Sequence, residues 1–131
     1  MVLCIAKYYV IIYICAMNTN LENTKAQMRK GVLELCILAI IAEEEIYPSD
    51  IITKLKESKL IVVEGTLYPL LTRLKNEGLL TYKWVESKSG PPRKYYKLTI
   101  IGEKFLKELN TTWDELVHAI NKITKKIRNN E

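Results

Sequence analysis

The 131-residue sequence predicts a mainly α-helical protein with a small β-hairpin, built as a winged helix-turn-helix plus a long C-terminal dimerisation helix. Three observations predict it. Leu67, Leu70, Leu71 and Leu74 fall at helical spacing and are closed by Gly78. Two strand-like runs joined by a Gly-Pro-Pro turn follow at once, which is what defines a wing. Beyond them, apolar residues repeat in a heptad pattern to the C-terminus.

Taken in order, residues 24–44 form the first long helix candidate, with the run Val32 to Ala42 apolar nearly all round. Such a helix is expected to be covered by its own domain and by a second subunit. Glu43-Glu44-Glu45 ends it in solvent. Tyr47-Pro48-Ser49-Asp50 starts a second helix, with proline and an acid in its first turn and Ile51, Ile52 and Leu55 facing inward. Leu60-Ile61-Val62-Val63 is β-branched and too short for a helix, so it predicts a brief strand. The third helix spans Glu64 to Glu77. Leu79 to Val85 and Arg93 to Leu98 are the hairpin strands around a turn at 87–92, and Thr99 caps a last helix running to about Ile127. The expected organisation is an apolar tail over 1–16, a winged-helix domain over 24–98 and a dimerisation helix over 99–131.

Composition narrows the function. One domain fits the length, and 48% apolar residues suffice for a core. Lys plus Arg is 20 against 15 acids, giving +5 and a pI near 9.0, a mild basic excess that invites a polyanion. One His and three Cys assemble no zinc framework, and reduced cytosolic thiols are expected. His118, the sole imidazole, sits on the last helix without a nucleophile suggested beside it. Gly65 and Gly90 stand alone rather than in a phosphate loop. Neither catalysis, a metal nor a cofactor is expected.

Residues 1–16 (MVLCIAKYYVIIYICA) are almost wholly apolar but shorter than the roughly 20 residues a membrane span needs. They also lack the basic opening and small-residue end of a secretory signal. Met17, before the polar Asn18-Thr19-Asn20, is the expected biological start. Without the tail one lysine is lost and the net charge is +4. The alternative is a genuine membrane anchor.

Segment 64–97 carries seven cations against three acids. On a recognition helix and its wing, Arg73, Lys75, Lys83, Arg93 and Lys94 would meet phosphates and make binding steeply salt-dependent. The N-terminal part of such a helix enters the major groove. There Gly65 permits close backbone approach, Thr66 reaches a base edge or a thymine methyl, and Tyr68 bonds a phosphate or stacks. The plainer reading makes Gly65 and Thr66 a mere helix start and the lysines a solvated face.

Leu106, Leu109, Trp113, Leu116, Ile120, Ile123 and Ile127 are separated alternately by three and four residues, an a/d seam over three heptads. It is expected to pack on a second copy, setting two reading helices about 34 Å apart. Trp113 either fills that interface or, paired with its symmetry mate, stacks on a planar aromatic or cationic ligand. Glu34 either faces the same region or is an ordinary wet position.

The motif Glu64-Gly65-Thr66-Leu67-Tyr68-Pro69-Leu70-Leu71-Thr72-Arg73-Leu74, followed by Gly78-Leu79, resembles the PadR family of bacterial transcriptional regulators. Gly31-Val32-Leu33-Glu34, Tyr47-Pro48 before Ile51-Ile52, and Arg93-Lys94-Tyr95-Tyr96-Lys97-Leu98-Thr99 before Gly102 match as well, covering about residues 25–105. The resemblance implies a homodimeric repressor of the short subfamily, in which one terminal helix makes the dimer. Family members repress genes of phenolic-acid detoxification, multidrug efflux or membrane stress. Some bind planar drugs between tryptophans of the terminal helix, and Trp113 holds a similar place. Pro48-Ser49 departs from the Gly-Tyr of many members, and residues 1–16 have no family counterpart. The expectation is a cytoplasmic homodimer on double-stranded, palindromic operator DNA, released by a small aromatic ligand or a stress signal, with no membrane partner. The alternative is a membrane-associated interaction module anchored by residues 1–16.

Overall fold

The computed structural model describes residues 2–130. In chain order it contains α1 (Val2–Glu43), α2 (Pro48–Glu57), α3 (Glu64–Asn76), β1 (Leu80–Ser87), β2 (Gly90–Leu98), α4 (Ile100–Ile123) and the one-turn α5 (Lys125–Arg128). Two compact units divide the chain, 1–33 and 34–131, with the boundary inside α1. The long terminal helix α4 therefore belongs to the same unit as the wing.

The first unit is helical throughout its described residues. Helix begins at Val2 rather than at residue 24, because no Gly or Pro interrupts the chain before Gly31. The polar stretch after Met17 does not stop it either. Thr19 and Thr24 each donate a hydroxyl hydrogen bond one turn back, to the Cys15 and Asn20 carbonyls at 3.0 Å, rather than capping a new start.

The second unit buries one core. Ile37, Leu38 and Ile41 from the end of α1 meet Ile51 and Leu55 of α2 and Leu67, Leu71 and Leu74 of α3, closed by Leu79, Leu80, Tyr96 and Leu98 of the hairpin region. Leu67, Leu71 and Leu74 are fully buried, each contributing about 1.5–3 kcal/mol of transfer free energy. Lys54 closes the α1–α2 link by donating to Glu43 at 3.0 Å and Glu44 at 3.2 Å.

Helices α2 and α3 end in the same way. Gly78, at φ +79°, lets its own N–H reach the Lys75 carbonyl and that of Leu79 reach Leu74, both at 3.0 Å. After α2 the left-handed position is Lys59, at φ 62°, with Leu60 N–H donating to the Leu55 carbonyl at 2.8 Å. A side chain there costs on the order of 1 kcal/mol.

The strand expected at Leu60–Val63 does not form. Val63 is extended, at φ −88° and ψ 154°, but residues 60–63 pair with no strand among the described residues; β-branched residues favour extension without supplying a partner. Ile46 takes the third place in the sheet instead, exchanging two hydrogen bonds with Tyr96 at 2.9 and 3.1 Å.

β1 and β2 are antiparallel, pairing Leu80 with Leu98, Tyr82 with Tyr96 and Trp84 with Lys94. The hairpin is longer than expected, turning at Lys88-Ser89 instead of over 87–92. Its register shifts between Val85 and Ser87, opposite Pro91 and Pro92, which have no N–H for the ladder.

The start of α4 is strapped to the α3–β1 turn. The Thr99 hydroxyl donates to the Gly78 carbonyl at 2.6 Å and accepts from Gly102 N–H at 3.0 Å. Thr99 N–H donates to the Leu79 carbonyl at 3.1 Å. A Cβ on Gly102 would lie 2.1 Å from that same carbonyl oxygen, so only glycine fits. The terminal helix is not continuous to Ile127: Thr124 turns its hydroxyl back onto the Ile120 carbonyl at 2.8 Å, α4 stops at Ile123, and Ile127 falls on α5.

Candidate nucleic-acid interface

The first two turns of α3 lie open. Gly65, Thr66, Tyr68 and Pro69 are exposed while Leu67 between them is fully buried. A Cβ on Gly65 would meet nothing within 4 Å, so nothing inside the protein requires glycine there. Pro69 adds a second opening: it has no N–H, so the Gly65 carbonyl one turn earlier lacks its helical donor.

Across from this helix stands the wing. Tyr68 and Thr72 of α3, Tyr47 and Pro48 at the start of α2, and Trp84, Arg93 and Lys94 of the hairpin enclose a cleft of about 290 Å³. Desolvation raises the phenol pKa of Tyr68, with Tyr47 and Glu64 adding to it, so Tyr68 stays a neutral hydroxyl donor.

The cations of segment 64–97 are not equivalent in the fold. Arg73 Nη2 donates to Glu34 at 2.7 Å and Nη1 to Glu77 at 3.0 Å, which raises its pKa. Lys83 pairs with Glu45, and its hydrogen bond lowers the Glu45 pKa. Lys75, Arg93 and Lys94 form no salt bridge among the described residues and lie over aromatic rings instead. Lys94 Nζ is 4.5 Å from the centre of Tyr82 and 5.2 Å from Trp84; the Arg93 guanidinium is 5.0 Å from Tyr47; Lys75 is 5.9 Å from Tyr82. Aromatic faces orient a cation without neutralising it. Arg93 and Lys94 therefore keep their full charge beside the open turn of α3, whereas Arg73 and Lys83 are already compensated. The Arg73–Glu77 pair is legible from its i,i+4 spacing, whereas Glu34, 39 residues from Arg73, and Glu45 reach their partners only through folding.

The remaining expected residues lie elsewhere. On α4, Leu106 and Leu109 are half-buried, and Trp113, Leu116, Ile120 and Ile123 are exposed, as is Ile127 on α5. Glu34 is engaged by Arg73. His118 is exposed on α4, and no group of three metal-ligating side chains occurs among the described residues.

A helix presenting its N-terminal turns beside a hairpin with unpaired cations defines a winged-helix DNA-binding protein. Residues 37–108 match the model of the PadR-like family of transcriptional regulators. The chain belongs to that family. It is similar to the structure of a PadR-like transcription factor from Bacteroides fragilis, at 65% identity over 77% of this chain and 98% of the other, with a TM-score of 0.66. A PadR family regulator from Eggerthella lenta is 30% identical over 82% of this chain and 95% of its own, at a TM-score of 0.77. Bacillus subtilis PadR, in complex with operator DNA, is 27% identical over 60% of this chain and 46% of its own, at a TM-score of 0.56.

Proposed function

We propose that the protein is a sequence-specific transcriptional repressor that binds a palindromic operator as a homodimer in the cytoplasm. The carrying observation is the open N-terminal half of α3, whose Tyr68 shares a cleft with Arg93 and Lys94, cations that no carboxylate neutralises among the described residues. Gly65, Thr66 and Tyr68 are assigned to the base edges and the nearby backbone, and Lys75, Arg93 and Lys94 to phosphates. Arg73 and Lys83, also expected at phosphates, are secondary because each is held by acids. The complex of the Bacillus subtilis relative with operator DNA supports the partner.

The exposed apolar stripe of α4, from Trp113 to Ile123, supports dimerisation, since leaving such a stripe in water forgoes its burial energy. Trp113 and its mate in a dimer are assigned to a planar aromatic or cationic effector that releases DNA. A second reading, membrane association, rests on one observation: α1 contains an 18-residue window of mean hydropathy 1.6, and the side chains of residues 2–16 are exposed. Cell fractionation separates the two.

The deciding test is fluorescence anisotropy on duplexes selected from a random-sequence pool, titrated with salt. Arg93→Ala with Lys94→Ala is expected to weaken binding to every sequence and flatten the slope of log affinity against log salt by about 0.9 per lost phosphate contact. Thr66→Val is expected to act on the selected site more than on random DNA. Unchanged affinity in both variants overturns the assigned face.

A further inference from the structure

Two large apolar side chains stand exposed immediately before the recognition helix, and no interior contact accounts for them. In the extended segment 60–63, Leu60 and Val62 are half-buried, whereas Ile61 and Val63 are 72% and 66% exposed. Alternation in extended chain puts Ile61 and Val63 on one side. Val63 is the N-cap residue of α3, so the pair sits next to the turn holding Gly65 and Thr66.

We propose that Ile61 and Val63 read the C5-methyl groups of thymine in the major groove. The inference rests on the DNA-binding reading and gives it a base preference. Groove edges are polar except at thymine, whose methyl group is the one apolar feature a side chain can cover. The residues that bracket this pair favour nucleic acid over a protein partner. Lys59 precedes it with an exposed ammonium and Glu64 follows it with a single exposed carboxylate; the unneutralised cations of the wing belong to the same unit, and the first turn of α3 is open for close backbone approach.

The test uses the full chain and a duplex recovered by selection, compared with the same duplex carrying deoxyuridine for thymine at each half-site position in turn. Uracil keeps the hydrogen-bonding edge and removes only the methyl group. The wild type is expected to lose about three- to five-fold in affinity at one or two positions, the worth of one buried methyl. In the Ile61→Ala, Val63→Ala double variant, thymine and uracil duplexes are expected to bind equally at those positions. Both residues are exposed, so an unchanged melting curve is expected to accompany the loss. Equal wild-type affinity for both duplexes overturns the proposal, and so does a double variant that still prefers thymine. Loss of self-association instead of methyl preference assigns the pair to a second copy and overturns it too. If the selection recovers no duplex, the DNA-binding reading falls and takes this inference with it.

Discussion

Arg73 on α3 and Glu34 on α1 are joined at 2.7 Å, across 39 residues of sequence, and Glu77 holds the other arm of the same guanidinium. One cation of α3 thus serves the scaffold. Arg73→Met is expected to lower stability by up to about 1 kcal/mol, the usual range for partly exposed pairs. The salt slope of DNA binding should stay as in the wild type. A slope reduced as much as in Lys94→Ala would show that Arg73 meets a phosphate after all.

Gly102 is expected to be the least replaceable residue of α4. Its added Cβ would sit 2.1 Å from the Leu79 carbonyl oxygen, and that atom is backbone already bonded to Thr99. Gly102→Ala should therefore cost about 2–3 kcal/mol or more despite the better helix propensity of alanine. In a domain of this size the melting temperature should fall on the order of 10 °C, measured by circular dichroism.

Gly65 should behave in the opposite way. With open space around it and a helical backbone, Gly65→Ala is expected to stabilise the fold by about 0.5–1 kcal/mol in urea denaturation. Operator affinity should fall at the same time, because the new methyl group occupies the space that a base or phosphate needs. A variant both more stable and fully competent would remove Gly65 from the interface.

Glu45 ties the wing to the α1–α2 link through Lys83. Its folded pKa lies below the ordinary carboxylate value, chiefly through the Lys83 hydrogen bond, so the pair stabilises the fold above about pH 4.3 and is lost as pH falls through the lower folded value. Trp84, next to Lys83 in β1, should report the release as an acid-side fluorescence change. Glu45→Gln should abolish that change and, by freeing Lys83, steepen the salt slope of DNA binding.

Leu116→Asp or Ile120→Asp places a charge in the exposed stripe of α4. Dimers are expected to dissociate in sedimentation, with a fall in operator affinity as two linked half-sites become one. Because both side chains are exposed in the single chain, the monomer should keep its melting behaviour. A variant that remains dimeric would move the interface elsewhere.

What could be read from the sequence was local. The Leu67–Leu74 stripe, the Gly78 cap and the Thr99 cap each depend on neighbours within one or two turns, and each formed where spacing placed it. What could not be read required knowing what lies opposite. Leu60–Val63 has strand composition but no partner, while Ile46, unremarkable in sequence, finds one in Tyr96. A helix start near residue 24 follows from local polarity, yet the Thr19 and Thr24 hydroxyls bond back along a helix that is already under way. At the site, the positions of Arg93 and Lys94 were legible as wing cations. Their aromatic supports were not, because Tyr47 and Tyr82 reach them only through folding.

The strap at Thr99 and Gly102 gives α4 a mechanical character. The helix is fixed at one end to the turn that ends α3, and its 24 residues extend about 36 Å from that point. It is a lever with its fulcrum beside the C-terminal end of α3. A tilt of about 5° at the fulcrum moves the far end by about 3 Å, over a helix of that length. The joint itself has little slack, since a methyl group is already too large for it.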